Sequence, residues 1–329
     1  MRTIKWGIIG TGSISTSFAK ALTQMEYTEL TAVASRDLTK AKEFAGKFGN
    51  PKAYGSYEEL AQDTEIDVIY IGTPHTEHKP NAELCIKNKK AVLCEKPFTL
   101  NGKEAKYLID LAKEHKVFLM EAMWTKFLPV TKKVKEWLAM EMIGKVKKLQ
   151  VGFGFTVPYD ESSRLYNYDL AGGALLDAGV YPITYAVHLM EKLPVQVFST
   201  GVFLKNGVDE QNCVLFKFDN DVLATISSAI NAEVGQEAII IGEKGRIIIK
   251  NFWNADKASV YDKEGKEIET FVESGRINGY EFEAYEVNEC IRNSKLESDM
   301  IPLQDTLDIM KIMDGIRADW GLKYRQEMD

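Results

Sequence analysis

Short apolar runs alternate with amphipathic segments over the first third of the chain. The runs have the length of buried strands, and the segments between them carry apolar residues at helical spacing. The predicted strands cover residues 4–9, 28–35, 67–71, 91–94 and 117–120, and the predicted helices cover residues 15–24, 37–48, 57–62, 79–88 and 103–115. Strands that alternate with helices in this way form right-handed βαβ units, so the pattern predicts a parallel sheet over residues 1–122.

Polar residues mark the starts of two of these helices. Asp37 stands where a side chain caps the second predicted helix. Ser56 and Glu59 form a capping box before the third. Both signals support the helix positions that the apolar pattern predicts.

The pattern changes after about Met123. Helices are predicted over residues 127–140 and 173–190, with one strand between them over residues 146–155. Six strands then follow one another, over residues 196–203, 213–218, 222–227, 237–241, 246–249 and 258–261, and helices over residues 280–293 and 305–320 complete the chain. Consecutive strands joined by tight turns favour an antiparallel sheet. The predicted fold class is therefore α/β: an N-terminal Rossmann-type parallel-sheet domain over residues 1–122, then a C-terminal α+β domain over residues 123–329 with an open, mostly antiparallel sheet.

Composition and charge exclude several classes of protein. Of the 329 residues, 45% are hydrophobic and 27% are charged, a mixture typical of globular proteins and not of disordered or fibrous ones. The net charge of −7 argues against a nucleic-acid partner, and no apolar run approaches the ~18 residues of a membrane span. The N-terminus lacks the regions of a signal peptide, and the four cysteines form no CxxC pair and no metal-ligand cluster. We therefore expect a cytoplasmic protein with no metal, no nucleic-acid partner and no membrane anchor.

A glycine-rich loop follows the first predicted strand and opens the first helix. Its residues are Gly10, Thr11, Gly12, Ser13, Ile14 and Ser15. The first glycine permits a tight turn, and the second lets backbone N–H groups approach a pyrophosphate at the helix N-terminus. The strand–turn–helix context favours dinucleotide binding over an ordinary glycine-rich turn. Ser15 stands where a third glycine or an alanine is usual, which predicts looser packing between helix and strand.

The end of the second predicted strand indicates which dinucleotide binds. An acidic residue there suits the ribose 2′-hydroxyl of NAD, and a nearby arginine suits the 2′-phosphate of NADP. Ser35 takes the acidic place and Arg36 follows it with a planar set of donors. Asp37 would bind the ribose of NAD if its side chain turned inward, but its position favours the role of helix cap. The sequence predicts NADP, with NAD as the alternative.

Two further motifs give the chain a family resemblance. Glu95-Lys96-Pro97 ends a predicted strand, at the edge where parallel sheets bind their ligands. The run from Gly172 to Pro182, GGALLDAGVYP, places Asp177 four residues before Tyr181. With the glycine-rich loop and the domain order, these motifs resemble the Gfo/Idh/MocA oxidoreductase family over essentially the whole chain. Residues 120–129, MEAMWTKFLP, and the LLDAGVYP stretch are most similar to the branch that contains dihydrodiol dehydrogenases and NADP-dependent D-xylose dehydrogenases.

The resemblance carries expectations for the site. It implies an NAD(P) site in the first domain, a substrate pocket between the domains, and an open sheet in the second domain that forms a homodimer. Its catalytic lysine is the lysine of the EKP motif, hence Lys96. Many members have DxxxH where this chain has Asp177 and Tyr181, so the tyrosine argues against an inositol dehydrogenase. The resemblance also places the loop after the strand predicted over residues 67–71 beside the nicotinamide ribose. The expected cofactor-binding residues are Gly10, Thr11, Gly12, Ser13, Ile14, Ser35, Arg36, Thr73, Pro74, His75, His78, Glu95, Lys96 and Trp124.

These residues suggest a hydride-transfer mechanism. We expect a secondary alcohol or hemiacetal of a sugar, polyol or vicinal diol to be oxidised, with Tyr181 taking the hydroxyl proton. A free tyrosine has a pKa near ~10, which a neighbouring ammonium such as that of Lys96 would lower. Asp177 shares a helix face with Tyr181 and could orient substrate hydroxyls. Each has a structural alternative: Lys96 a solvated strand end, Tyr181 a core aromatic, and Asp177 a hydrogen-bond hub.

Two other functions stay open at this point. The same family includes glycosidases that hold NAD tightly and cleave by transient oxidation. A regulator that senses nucleotide without turnover would keep the same fold, although such a protein would not need Lys96 and Tyr181 together.

Overall fold

The computed structural model describes residues 1–328, which fold as two compact units. The first unit combines Met1–Trp124 with Arg276–Met310, and the second combines Thr125–Gly275 with the chain from Lys311 onwards. The sequence-based division at residues 122 and 123 differs from this at residues 276–310, which return to the first unit. A pattern read along the chain predicts local elements and does not register such a return.

Nine α-helices and fourteen strands form the two units of the described chain. The helices are α1 Ser13–Leu22, α2 Leu38–Ala45, α3 Tyr57–Gln62, α4 His78–Lys87, α5 Gly102–His115, α6 Pro129–Ala139, α7 Val180–Met190, α8 Tyr280–Arg292 and α9 Leu303–Trp320. The strands are β1 Ile4–Ile9, β2 Thr28–Ala34, β3 Lys52–Tyr54, β4 Val68–Ile71, β5 Ala91–Glu95, β6 Leu119–Ala122, β7 Val146–Gly154, β8 Gln196–Phe203, β9 Asp209–Lys217, β10 Leu223–Ala229, β11 Ala238–Gly242, β12 Gly245–Ile249, β13 Lys257–Asp262 and β14 Glu267–Val272. The short strand β3 and the strand β14 are not among the elements that the sequence pattern predicts.

The first unit is built on a six-stranded parallel sheet in the order β3-β2-β1-β4-β5-β6. The order reverses between β1 and β4, which is the place where doubly wound sheets bind nucleotides. Strands β4, β5 and β6 are buried along their whole length, because helices cover both faces of the sheet. The predicted parallel α/β domain is confirmed.

Helix α8 explains why the late segment belongs to the first unit. It packs against α1, and its Asn288 accepts a hydrogen bond from the buried Trp6 indole at 3.0 Å. The same amide donates to the hydroxyl of Thr28 at 2.9 Å. Asn288 therefore joins β1 to the start of β2, and the two bonds satisfy polar atoms that would otherwise be buried without partners.

The second unit is built on an eight-stranded sheet in the order β14-β13-β12-β11-β7-β10-β9-β8. All neighbours are antiparallel except β7 and β10, which run parallel, so the predicted open, mostly antiparallel sheet is confirmed. Helix α7 packs on β7 and β10. No continuous apolar run reaches the length of a membrane span, but by length and mean hydropathy over a window the helical stretch Tyr168–Met190 does qualify, and 89% of that window is buried. That burial fits a core helix.

Candidate active site

The glycine-rich loop forms an open cradle between β1 and α1. Gly10 has a φ of +97°, and a Cβ there would lie 2.8 Å from the carbonyl oxygen of Gly72, so only glycine fits. A Cβ on Gly12 would meet nothing within 4 Å, which leaves space directly above the loop. Helix α1 starts at Ser13 with no side-chain cap and no acidic residue in its first turn. Its first N–H groups can therefore serve an anion, and the residues fit the pyrophosphate of a dinucleotide.

Ser15 packs into α1 without loosening it. The side chain is fully buried, and a Cβ on Gly72 would lie 2.4 Å from its hydroxyl. Gly72, at the end of β4, therefore provides the room that Ser15 takes. The expected loosening of the helix against the sheet is wrong, because Gly72 has no side chain and leaves space for that of Ser15.

The end of β2 separates the roles of Arg36 and Asp37. The carboxylate of Asp37 accepts hydrogen bonds from the backbone N–H groups of Thr39 at 2.9 Å and Lys40 at 3.4 Å, so it caps α2. Arg36 is exposed, and its guanidinium lies against the hydroxyl of Tyr57. Burial raises the pKa of Tyr57, and Arg36 opposes that increase. Ser35 is buried at the strand end, where its hydroxyl accepts from the N–H of Asp37 at 3.3 Å.

His78 connects the loop that follows β4 to the loop that follows β5. It is fully buried, its Nε2 lies 2.9 Å from the carbonyl oxygen of Thr73, and its Nδ1 lies 2.8 Å from that of Pro97. A neutral imidazole donates to one of these carbonyls at a time. Burial lowers the pKa of His78, and the charge of Lys96 acts in the same direction. His78 thus links two loops and does not present a ring nitrogen to solvent, whereas His75 begins the short 3₁₀ turn after Pro74.

Glu95 fixes the backbone of the EKP motif through hydrogen bonds to its carboxylate. Its carboxylate accepts from the backbone N–H of Lys96 at 3.1 Å and from the hydroxyl of the buried Tyr70 at 2.6 Å. The buried Glu283 of α8 lies near Glu95. Burial raises the pKa of Glu283, and the charges of Glu95 and Glu121 raise it further, so the neutral carboxylic acid form of Glu283 is favoured. Glu95 is itself buried, which makes it an internal support for Lys96.

Trp124, which follows β6, is buried and stacks on Tyr280 of α8, with the ring centroids 4.5 Å apart and the planes 21° apart. The expected cofactor residues thus lie at the carboxyl ends of the first unit's strands, in the turns that follow them, or in the first turn of the next helix, as Ser13, Ile14 and His78 do. The structure brings these together at one edge of one sheet. Asp177 and Tyr181 belong to the second unit.

In the second unit, Asp177 lies in a turn of π-helix over Leu175–Gly179 that runs directly into α7. Its carboxylate is buried and accepts from the guanidinium of Arg164 at 2.7 Å. Half of the Arg164 side chain is exposed, at 51%. The buried carboxylate therefore has a cationic partner, as buried charges require. Tyr166, two residues after Arg164, packs in the core and donates to the carbonyl oxygens of Val157 and Ile230.

Tyr181 lies among aromatic rings. Its ring centroid is 5.2 Å from that of Phe153 on β7 and 6.3 Å from that of Trp253, both edge-to-face. Phe153 and Trp253 are themselves 5.2 Å apart. Trp253 is half-buried and donates from its indole to Gln236 at 2.8 Å, which fixes the ring. The three rings form one aromatic cluster, and we call them the aromatic wall.

Comparison with known families identifies the family of this chain. Residues 4–123 match the family model described as an oxidoreductase family with an NAD-binding Rossmann fold, and residues 131–248 match the GFO/IDH/MocA C-terminal domain. The chain belongs to the Gfo/Idh/MocA oxidoreductase family. Its first unit is an NAD(P)-binding Rossmann domain, and the protein is an oxidoreductase of the dehydrogenase type.

Relatives and solved structures agree with this assignment. The chain is 38% identical to trans-1,2-dihydrobenzene-1,2-diol dehydrogenase of Xenopus laevis, over 97% of this chain and 99% of the relative. The human protein of the same name is 34% identical, over 98% and 99% of the two chains. A 3-ketoreductase of Actinomadura kijaniata, solved with NADP and TDP-benzene, shares the fold with a TM-score of 0.85 at 24% identity, over 96% and 98%. Levoglucosan dehydrogenase, solved with NADH and levoglucosan, shares the fold with a TM-score of 0.85 at 20% identity, over 97% of each chain.

Sequence reasoning missed the partners of the site residues. Phe153 and Trp253 lie 28 and 72 residues from Tyr181, and only the sheet brings them together. Tyr280 comes from the late segment that returns to the first unit. Asp209 is a buried carboxylate at the start of β9. In the sequence it is followed by Glu210, Gln211 and Asn212, so no local pattern distinguishes it from an ordinary polar residue.

Proposed function

We propose that this protein oxidises a vicinal diol on an apolar ring, using NADP as the hydride acceptor. The observation that carries the proposal is the aromatic wall: Phe153 and Trp253 pack edge-to-face around Tyr181. A ring with two adjacent hydroxyls needs an apolar surface beside a proton acceptor, and the wall offers both. The dihydrodiol dehydrogenase relatives, with 34–38% identity over nearly the full chain, support the same substrate class.

In the proposed reaction, the C–H bond of one carbinol carbon breaks and its electron pair leaves as hydride, while the hydroxyl proton passes to the phenolate oxygen of Tyr181. The carbon–oxygen bond becomes a carbonyl. The bound nicotinamide supplies the hydride acceptor. Within the first unit, Glu95 orients the backbone of Lys96, the lysine that the family resemblance makes catalytic. Asp177 would accept a hydrogen bond from the second hydroxyl, while the guanidinium of Arg164 holds its carboxylate in place.

The preference for NADP is argued from the end of β2. Asp37 uses its carboxylate on two N–H groups of α2, so it is not turned toward a ribose. Arg36 is exposed beside Tyr57 and offers the planar donor set that a 2′-phosphate takes. No carboxylate at the β2 terminus then remains to bind a ribose 2′-hydroxyl and repel the phosphate.

The test is turnover with a panel of cyclic vicinal diols, polyols and aldoses, followed by absorbance of the reduced nicotinamide with NADP and NAD in parallel. We expect a signal with cyclic diols and NADP, and its loss by at least about 100-fold in Tyr181→Phe, which keeps the ring packing and removes the acid/base group. Phe153→Leu is the second test variant: it thins the aromatic wall and should raise KM more than it lowers kcat. Turnover of aldoses alone, or full activity of Tyr181→Phe, would overturn the proposal.

We also propose that the protein is a homodimer formed through the open face of the second sheet. A groove of about 1270 Å³ crosses this face, lined by residues of β7 to β11 that include Phe198, Leu215 and Ile239. Phe198 is 57% exposed, which is high for a large apolar side chain in a strand. Sedimentation of the wild type should give twice the chain mass, and Phe198→Glu should give the single chain. Val272→Glu, on the exposed edge strand β14, is the control that should stay dimeric.

A further inference from the structure

Two adjacent glycines begin the segment that carries Asp177 and Tyr181. Gly173 has a φ of +132°, and a Cβ there would lie 2.2 Å from Oδ1 of Asp209. A Cβ on Gly172 would lie 2.5 Å from the carbonyl oxygen of Leu165. The carbonyl oxygen of Gly172 also accepts from the hydroxyl of the buried Tyr324 at 2.8 Å. Close neighbours therefore fix the chain at this point.

Asp209 makes the contact that reaches the helix itself. Its carboxyl group is fully buried at the start of β9, and Oδ2 accepts from the backbone N–H of Leu175 at 2.8 Å. Leu175 is the first residue of the π-helical turn that contains Asp177 and leads into α7. The amide of Asn212 donates to the same oxygen at 3.0 Å, and Ser228 donates to Asn212 at 2.9 Å. This chain of bonds runs from β10 to the helix start.

We propose that Asp209 is a positioning residue, whose carboxyl group fixes the start of the helix that carries Asp177 and Tyr181. The inference rests on the proposed function, because it takes Tyr181 as the acid/base group. Asp209 touches neither of the two side chains. It acts through the backbone of Leu175, two residues before Asp177, and a shift there moves both side chains together.

The charge on Asp209 bears on how firmly the helix start is held. Burial raises the pKa of Asp209 to about 7, against the opposing effects of the Leu175 N–H, the Asn212 amide and the charge of Arg317 on α9. The hydroxyl of Tyr324 is the other titratable group that faces it. Of the two forms, the carboxylate accepts the stronger hydrogen bond from Leu175 and suits a helix N-terminus. The helix start should therefore be held more firmly above pH 7 than below it.

The experiment compares the full-length wild type with Asp209→Asn, Asp209→Leu and a control, Asp262→Asn. Asparagine keeps a neutral acceptor for Leu175 in nearly the same volume, and leucine removes the acceptor. Asp262 also accepts a backbone N–H, that of Lys266 at 2.8 Å, but at the β13–β14 turn. The readouts are kcat and KM across pH 5.5–9, the Kd for NADP, and hydrogen exchange of residues 174–181 at one fixed pH.

We expect the wild-type kcat to rise around pH 7. Asp209→Asn should lose this rise, with about tenfold lower kcat at pH 8 and unchanged Kd for NADP. In Asp209→Leu, exchange over residues 174–181 should be about 10- to 100-fold faster, the effect of losing one hydrogen bond to a charged group. Asp262→Asn should match the wild type in every readout.

Wild-type kcat at pH 8 in both Asp209 variants, or wild-type exchange in Asp209→Leu, would overturn the inference. A wild type without turnover on any diol would count against the proposed function alone. Hydrogen exchange then still decides the role of Asp209: faster exchange confined to residues 174–181 supports it, and unchanged exchange refutes it.

Discussion

Replacing Gly173 with alanine should cost the second unit several kcal/mol of stability. The added Cβ would lie 2.2 Å from Oδ1 of Asp209 and 3.2 Å from its Cγ, whereas ordinary contacts lie at 3.4–4 Å. Asp209 is fully buried and hydrogen-bonded, so it cannot move aside without losing its bond to Leu175. Overpacking of this kind costs about 1–3 kcal/mol, and a φ of +132° in alanine adds about 1–3 kcal/mol. We therefore expect Gly173→Ala to lower the free energy of unfolding by about 4 kcal/mol.

The assay is urea unfolding followed by circular dichroism, with Gly315→Ala as the matched control. A Cβ on Gly315, inside α9 of the same unit, would meet nothing within 4 Å, so this change should stabilise the protein by about 1 kcal/mol. The double variant with Asp209→Ala separates the clash from the backbone strain, because it removes the carboxyl oxygen. Its cost should be about 1–3 kcal/mol less than the sum of the two single costs. Additive costs, or a Gly173→Ala protein as stable as the wild type, would refute the expected clash between a side chain at residue 173 and Asp209.

Three further outcomes follow from contacts described above. Arg36→Ala should weaken NADP binding by about tenfold or more and leave NAD binding unchanged, which isothermal titration measures. Asp37→Ala should lose about 1 kcal/mol of stability, because it removes the cap of α2, without altering the coenzyme preference. Thermal unfolding measures that loss. Because the pKa of Asp209 rises from 3.8 to about 7 on folding, the native state binds a proton that the unfolded state releases, so wild-type stability should fall as pH rises from about 4 to about 7 and then level off. Urea titrations at several pH values should show this fall, by up to about 4 kcal/mol relative to Asp209→Asn, and parallel curves would contradict it. His78→Leu should weaken NADP binding and lower the melting temperature together, because it releases the loops of Thr73 and Pro97, and a change in only one of the two would contradict that linkage.

The sequence predicted what local chemistry specifies. The apolar runs located five of the six strands of the first sheet, and Asp37 and Ser56 cap the helices that they were expected to cap. The strand β3 was missed because Lys52–Tyr54 is three residues long, too short for any periodicity. Ser15 was misread because Gly72, which accommodates it, lies 57 residues away.

The candidate site was predicted only in part for the same physical reason. Lys96, Asp177 and Tyr181 stand in short motifs whose spacing is visible along the chain. Their supports, such as Asp209 for the helix start, come from distant strands, and pairing in a sheet depends on long-range contacts that a linear pattern does not encode. The carboxylate of Asp37 is the opposite case, since its partners are its own neighbours.

The bond between Trp6 and Asn288 has a consequence for synthesis of the chain on the ribosome. Trp6 is among the first residues to leave the ribosome. Asn288, which accepts the hydrogen bond from its indole, is synthesised 282 residues later. The Rossmann unit therefore stays incomplete while the strand-rich middle of the protein is synthesised and folds. During that time the side of α1 that packs against α8 is uncovered. A nascent chain stalled at residue 124 should be protease-sensitive and bind hydrophobic-surface chaperones, and it should mature only when residues 276–310 have left the exit tunnel.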